Sequence, residues 1–109
     1  MKFKVKTLHN FEKRSNRLIK KYPSLISEIA ELISNLEIDP YLGIPLGKNC
    51  YKIRLSITSK GKGKSGGARV ITNVVVRKDT VYLLSIYDKS EQEDISDSDI
   101  HHLLNKIPD

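Results

Sequence analysis

The chain has 109 residues, the size of one domain with a single core, and its 39% hydrophobic and 29% charged residues describe an ordered globule. No stretch reaches the roughly 20 apolar residues of a membrane helix, and the lone Cys50 rules out an internal disulfide and a four-cysteine metal site. A net charge of +6 favours a polyanionic partner.

Lys2, Lys4 and Lys6 alternate with Phe3, Val5 and Thr7, the period of two of a half-exposed strand whose lysines guard an edge. This start lacks the apolar core of a signal peptide, which predicts a cytoplasmic protein. From Phe11, the residues Ser15, Leu18 and Tyr22 recur at helical spacing among Lys13, Arg14, Arg17, Lys20 and Lys21, giving a basic amphipathic helix. Pro23 cannot continue it but suits the first turn of another. Leu25, Ile29, Leu32, Ile33 and Leu36 then line one face of a second, acidic helix, so the pair forms a helical hairpin.

Between Asp39 and Asn49, Pro40, Gly43, Pro45 and Gly47 punctuate a stretch that neither period fits, and it reads as a loop. Alternation returns at Cys50, itself expected to be a buried, inert thiol. Tyr51, Ile53, Leu55 and Ile57 fall on one face, Lys52, Arg54, Ser56 and Thr58 on the other. The segment SKGKGKSGG, residues 59 to 67, is a cationic, glycine-rich loop joining two strands. Ala68 to Arg77 fits a strand with Val70, Val74 and Val76 on one side and Arg69, Asn73 and Arg77 on the other. Lys78 and Asp79 make a turn. Val81 to Tyr87 is apolar at nearly every position, as in a central strand covered on both faces. Ser96 offers an N-cap three residues before Asp99, Ile95 can staple to Ile100, and Leu103, Leu104 and Ile107 mark the buried side of a C-terminal helix.

The predicted architecture is α+β: a β-α-α-β-β-β-α order over a single domain, residues 1 to 109, with a mostly antiparallel sheet and the helical hairpin on one face. Charge is segregated along it. Lys48 to Lys78 carries nine positive charges and no negative one, whereas Asp88 to Asp99 sets six acids against Lys89. Lys52, Arg54 and Arg69 fall together on hairpin-connected strands, with Lys89 just past the central strand. Such cations suit a phosphate backbone, which arginine grips bidentately and lysine meets as a point charge. His9, His101 and His102 have no spacing to a further ligand and read as surface residues. Asp94 and Glu91 could orient a lysine, but the favoured reading is a solvated loop.

CYKIRL at 50 to 55, GGARVI at 66 to 71 and LLSIYDKSEQEDIS at 83 to 96, in this order behind a helical hairpin, resemble the RelE/ParE superfamily of bacterial toxins. Within it they are nearest the RelE and HigB-like ribosome-dependent mRNA interferases, and the resemblance spans nearly the whole chain. It implies the RelE-like fold and a toxin of a type II toxin-antitoxin system. Such a toxin enters the ribosomal A site, cleaves translated mRNA by metal-independent attack of a 2′-hydroxyl on the adjacent phosphate, and is silenced by an antitoxin. No cofactor is implied; the partners are the cognate antitoxin, the ribosome and mRNA. Lys52 and Arg54 match paired basic positions that hold the substrate, Arg69 matches the arginine at the scissile phosphate, and Lys89 matches a basic residue beside the leaving group.

The chain departs from RelE in three places. Arginine replaces lysine at Arg54 and is too weak an acid to serve as base, which leaves Lys52 as the better one. Lysine replaces arginine at Lys89. The position of the RelE tyrosine holds Ile95 and acidic neighbours, so Tyr87, near where HigB-like members place a catalytic aromatic, is read as the substitute or a stacking platform, with an edge aromatic that caps the core as the equal alternative. Lys60, Lys62 and Lys64 on the glycine-rich loop, with Lys48 and Arg77, are assigned to RNA binding. Two other readings accompany the nuclease: a ParE-like inhibitor of DNA gyrase, and a catalytically inactive RNA-binding module.

Overall fold

The computed structural model describes residues 2–58 and 66–109. Its elements are β1 (Lys4–Thr7), α1 (His9–Lys21), α2 (Leu25–Ile38), β2 (Ile44–Gly47), β3 (Cys50–Leu55), β4 (Ala68–Val75), β5 (Thr80–Asp88) and α3 (Asp97–Leu104). One five-stranded sheet has the order β1-β5-β4-β3-β2. Neighbours are antiparallel except β1, which lies parallel to β5 with Lys4 beside Thr80. The sheet with its helical hairpin is the expected α+β architecture, with one strand more than the alternation predicted.

That strand is β2, in the stretch read as a loop. A four-residue strand containing Pro45 and bounded by glycines carries almost no periodic signal, and proline is tolerated there because β2 is an edge. It turns into β3 through Lys48 and Asn49, both at positive φ (54° and 60°), the signature of a type I′ hairpin, whose twist matches the flanking strands. Gly43, at φ 101°, lies so close to β3 that a Cβ would sit 2.5 Å from the Lys52 carbonyl oxygen. The other end of β4 also differs from expectation. The strand stops at Val75, and Val76–Lys78 form a 3₁₀ turn closed by Asp79 in the left-handed region. Val76, expected in the core, is 53% exposed, and Arg77 lies on the turn instead of on the strand face.

Helix α1 carries Glu12 in its first turn and Lys20 and Lys21 in its last, the charge order its dipole favours. It buries Phe11, Ser15 and Leu18; α2 buries Leu25, Ile29, Leu32 and Leu36 and ends just before Pro40. These side chains form one core with Ile53, Leu55, Ile57, Val70, Val74, Val81, Leu83 and Ile86. A second core fills the opposite face of the sheet, where Ile100 and Leu103 of α3 meet Cys50, Ile71, Tyr82, Leu84 and Tyr87. Ser96 caps α3 by accepting the Asp99 N–H at 3.1 Å, and Ile95 packs against the same core as Ile100. Strand β5 is buried at all nine positions, as its unbroken apolar run implied.

Its alternation is broken once. Val70 pairs with Ile86 and Ile71 with Ser85, but Thr72 pairs with Leu83, so Leu84 is an extra residue in β5. This bulge shifts every later side chain by one face. Ile86 therefore enters the hairpin core, and Tyr87 turns to the face that carries Arg69. Thr72 Oγ1, buried at the bulge, has no hydrogen-bond partner.

Two stability measurements follow from this packing. In urea unfolding, Leu18→Ala should cost about 2–5 kcal/mol by leaving a cavity, while Val76→Ala should stay within ~0.5 kcal/mol. Thr72→Val, which removes an unsatisfied buried hydroxyl at nearly constant volume, should raise stability by about 1 kcal/mol.

Candidate phosphate-binding face

Register across three strands sets the site. Arg54 on β3 lies opposite Arg69 on β4, and Arg69 lies opposite Tyr87 on β5, so the three form one row on the face away from the helical hairpin. The next row on that face is Lys52, Ile71 and Ser85. The alternation of β3 accounts for Lys52 and Arg54; the bulge in β5 accounts for Tyr87.

Within this face the groups differ in exposure. Arg54 is exposed, whereas Arg69 is only 3% exposed and its Nη1 donates to the Ala68 carbonyl at 3.1 Å. Two arginines directly opposite each other on paired strands repel, and that pairing works against folding. Tyr87 is 2% exposed, its ring in the second core and its hydroxyl donating to Asp94 Oδ1 at 3.4 Å. It is thus a packed aromatic that caps the core with its ring and presents a polar tip to Asp94. Burial first, then the neighbouring Asp94 carboxylate, push the Tyr87 hydroxyl up to about 12, partly opposed by Arg69. It remains a proton donor throughout the neutral range.

Asp94, expected in a solvated loop, also takes the Lys52 ammonium at 3.3 Å. The Ile95 N–H at 2.9 Å and then Lys52 and Tyr87 hold its carboxyl below the usual range. Glu91 turns the other way, to Arg17 at 2.9 Å and Lys21 at 3.8 Å on α1. The Arg17 hydrogen bond holds its carboxyl low as well. Sequence reading allowed that Asp94 and Glu91 could orient a lysine but favoured a solvated loop, because nothing in an acidic run shows which acid folds back onto the sheet; both acids hold a lysine.

Lys89 is exposed just beyond β5. Its backbone N–H donates to the Gly67 carbonyl at 3.1 Å, and buried Asp88 fixes the exit by accepting from Ser90 N–H and Oγ at 2.9 and 2.8 Å. The structure therefore gathers Lys52, Arg54, Arg69 and Tyr87 on one face and sets Lys89 at its border. Lys48 and Arg77 belong elsewhere. They line a groove of about 490 Å³ with Lys78, Leu104 and Ile107 at the opposite end of β4, six residues from Arg69 and so about 20 Å away at ~3.3 Å per residue. Lys60, Lys62 and Lys64 lie outside the described residues.

The histidines are exposed, and among the described residues no group of three His, Cys, Asp or Glu is arranged to hold a metal ion. Cys50 is buried beside Asn73, whose Nδ2 donates to its Sγ at 3.5 Å, and burial pushes its thiol up. Its burial is as expected. No helix among the described residues is long and apolar enough to cross a membrane.

The same architecture occurs in solved structures. A double-arginine mutant of the E. coli toxin RelE in the free state is similar over 99% of this chain and 100% of its own, with a TM-score of 0.65 at 17% identity. RelE in the intact E. coli RelBE toxin-antitoxin complex is similar over 79% of this chain and 95% of its own, with a TM-score of 0.52 at 20% identity. The same mutant bound to an antitoxin RelB peptide covers 89% and 98%, again with a TM-score of 0.52 and 20% identity. At such identities the likeness establishes the RelE-type fold. The family model for the RelE toxin of the RelE/RelB toxin-antitoxin system matches residues 2–107, and the chain belongs to that family of toxins.

The Tyr87 environment has a pH signature. A hydroxyl whose folded pKa is raised above its unfolded value of about 10 lends stability that is complete below that value. That contribution should be lost as pH rises from about 10 through about 12. Melting curves across this window should show the decline in the wild type and a flatter profile in Tyr87→Phe; parallel profiles would place the titration on another group.

Proposed function

We propose that this RelE-family toxin, acting as one unit over residues 1 to 109, cleaves translated mRNA on the ribosome without a metal, and that a cognate antitoxin silences it. The observation that carries this reading is the Arg54–Arg69 pair, in register on adjacent strands and flanked by Lys52 and Tyr87. A like-charge pair that opposes folding is retained where an anion is to be bound, and a phosphodiester is the anion a RelE-type toxin meets.

The chemistry assigns a task to each group. The RNA 2′-hydroxyl attacks phosphorus, its proton passes to Lys52 in the free-amine form, and the bond from phosphorus to the 5′-oxygen breaks. Arg54 and Arg69 oppose the charge that builds on the phosphorane oxygens. Tyr87, protonated across the neutral range, supplies the proton to the leaving 5′-oxygen, and Lys89 offsets charge there. Lys48 and Arg77 hold RNA phosphates farther along the sheet, and Lys60, Lys62 and Lys64 add further contacts to RNA. RelE in the E. coli complex binds the antitoxin RelB, which supports an antitoxin for this chain too. Such an antitoxin would neutralise the cationic face or displace α3. Acting in the cytoplasm follows from this target.

The experiment is to induce the protein in cells and map mRNA ends, beside Arg54→Ala and Lys89→Ala, two exposed positions. Growth arrest with cuts inside translated frames is expected for the wild type, and each variant should cut about 10²–10³ times more slowly. Arrest with intact mRNA and accumulating DNA breaks would assign the protein to gyrase inhibition. Binding of RNA with neither arrest nor cuts would make it an inactive RNA-binding module.

A further inference from the structure

Asp94 has no counterpart among the residues carried over from the family resemblance, yet its Oδ1 is where the site converges. Lys52 Nζ at 3.3 Å, the Tyr87 hydroxyl at 3.4 Å and the Ile95 N–H at 2.9 Å all point at this one oxygen. Charged and neutral donors gathered on a single anionic oxygen are what a non-bridging phosphate oxygen requires. The two side-chain donors are set, while the acceptor is movable together with the Ile95 N–H beside it. Tyr87 is 2% exposed and the Lys52 side chain 21%, while the Asp94 side chain is 63% exposed. Between Ser90, bonded to buried Asp88, and Ile95, packed against the second core, the segment's other side-chain ties to the described residues of the body are the surface pairs of Glu91 with Arg17 and Lys21 and a 3.5 Å contact from Arg14 to Gln92. Exposed pairs of this kind are worth at most about 1 kcal/mol each, so lifting the loop is cheap.

We propose that Asp94 is a built-in stand-in for the substrate phosphate: in the free protein its carboxylate fills the anion seat made by Lys52 and Tyr87, and an incoming phosphodiester displaces it. This rests on the nuclease reading of the same face. Charge explains why the two anions exclude each other. A phosphate drawn to Arg54 and Arg69 arrives beside a carboxylate already holding Lys52, and like charges at that separation repel. Displacement also readies the chemistry. While Asp94 holds Lys52 Nζ and accepts from the Tyr87 hydroxyl, both groups are engaged with a protein oxygen instead of the RNA. Once the carboxylate leaves, both groups face the RNA. Asp94 is therefore a gating residue that competes with substrate, and its removal should strengthen binding, the opposite of what loss of a supporting residue does.

The test measures affinity of the full-length protein for a short single-stranded all-deoxy oligonucleotide, which has the phosphates but no 2′-hydroxyl and cannot be cut. Asp94→Asn should bind about two- to fivefold tighter than wild type, the range an exposed ion pair spans. Glu93→Gln removes the same charge one residue away and should change affinity by less than about twofold. Equal gains in both variants would reduce the effect to net charge, and an unchanged or weaker Asp94→Asn would make Asp94 a structural support; either overturns the proposal. Arg54→Ala reads the parent site separately. If it binds as well as wild type, the phosphate face itself is wrong and the gate falls with it. If it loses binding while Asp94→Asn gains none, the gate alone is wrong. Unfolding midpoints check that each variant is folded, and Asp94→Ser carries the same comparison should Asp94→Asn not fold.

Discussion

The pairing of β4 with β5, and the single extra residue within it, governs the rest of the molecule. β4 is the central strand and β5 its neighbour, and together they contribute to both cores: Val70, Val74, Val81 and Leu83 to one, Ile71, Tyr82 and Leu84 to the other. Had alternation run unbroken from Tyr82, Ile86 would face α3 and Tyr87 would lie beneath the helical hairpin. The bulge at Leu84 exchanges them. One residue of register thus separates a chain with a tyrosine beside its arginines from one with the same sequence and no such site.

Electrostatics on that face run against stability and are answered locally. Arg54 and Arg69 repel across the strand pair, and Lys52 adds a third cation two residues along. The compensation comes from the acidic segment after β5, where Asp94 reaches Lys52 and Tyr87 while Glu91 reaches α1. The six acids between Asp88 and Asp99 are thus no uniform solvated run: Asp88 is buried as a turn clamp, Asp94 touches the cationic face, and Glu91 ties the loop to the basic helix. A protein that kept only the cations would be a better polyanion binder and a less stable fold.

Much of this was legible beforehand because it follows from period and composition. The 3.6-residue spacing of Phe11, Ser15 and Leu18 and of Leu25, Ile29, Leu32 and Leu36 gave both helices, and the alternation in CYKIRL put Lys52 and Arg54 on the face away from the helices. Other features leave no periodic trace. Strand β2 is four residues with a proline, and its turn uses Lys48 and Asn49 in place of the Asn-Gly that would advertise it. Val76 is apolar and β-branched, so alternation assigned it to the core, but the chain had already left the strand for a 3₁₀ turn. The role of Asp94 depends on where a loop folds back in space. The placement of Tyr87 beside Arg69 depends on a bulge that a run of apolar residues conceals.

The position of β1 bears on how the molecule comes to exist. The first strand of the chain pairs with Thr80 to Leu83, 76 residues later, and has no other strand beside it. Contacts so distant in sequence close last, and they make folding cooperative and comparatively slow. During synthesis β1, α1 and α2 emerge early but find their central partner only when β5 has left the ribosome. Tyr87 arrives within β5 itself and Asp94 six residues after it, so the face that joins Lys52, Arg54 and Arg69 to Tyr87 and Asp94 is assembled only once the last strand of the sheet has been made.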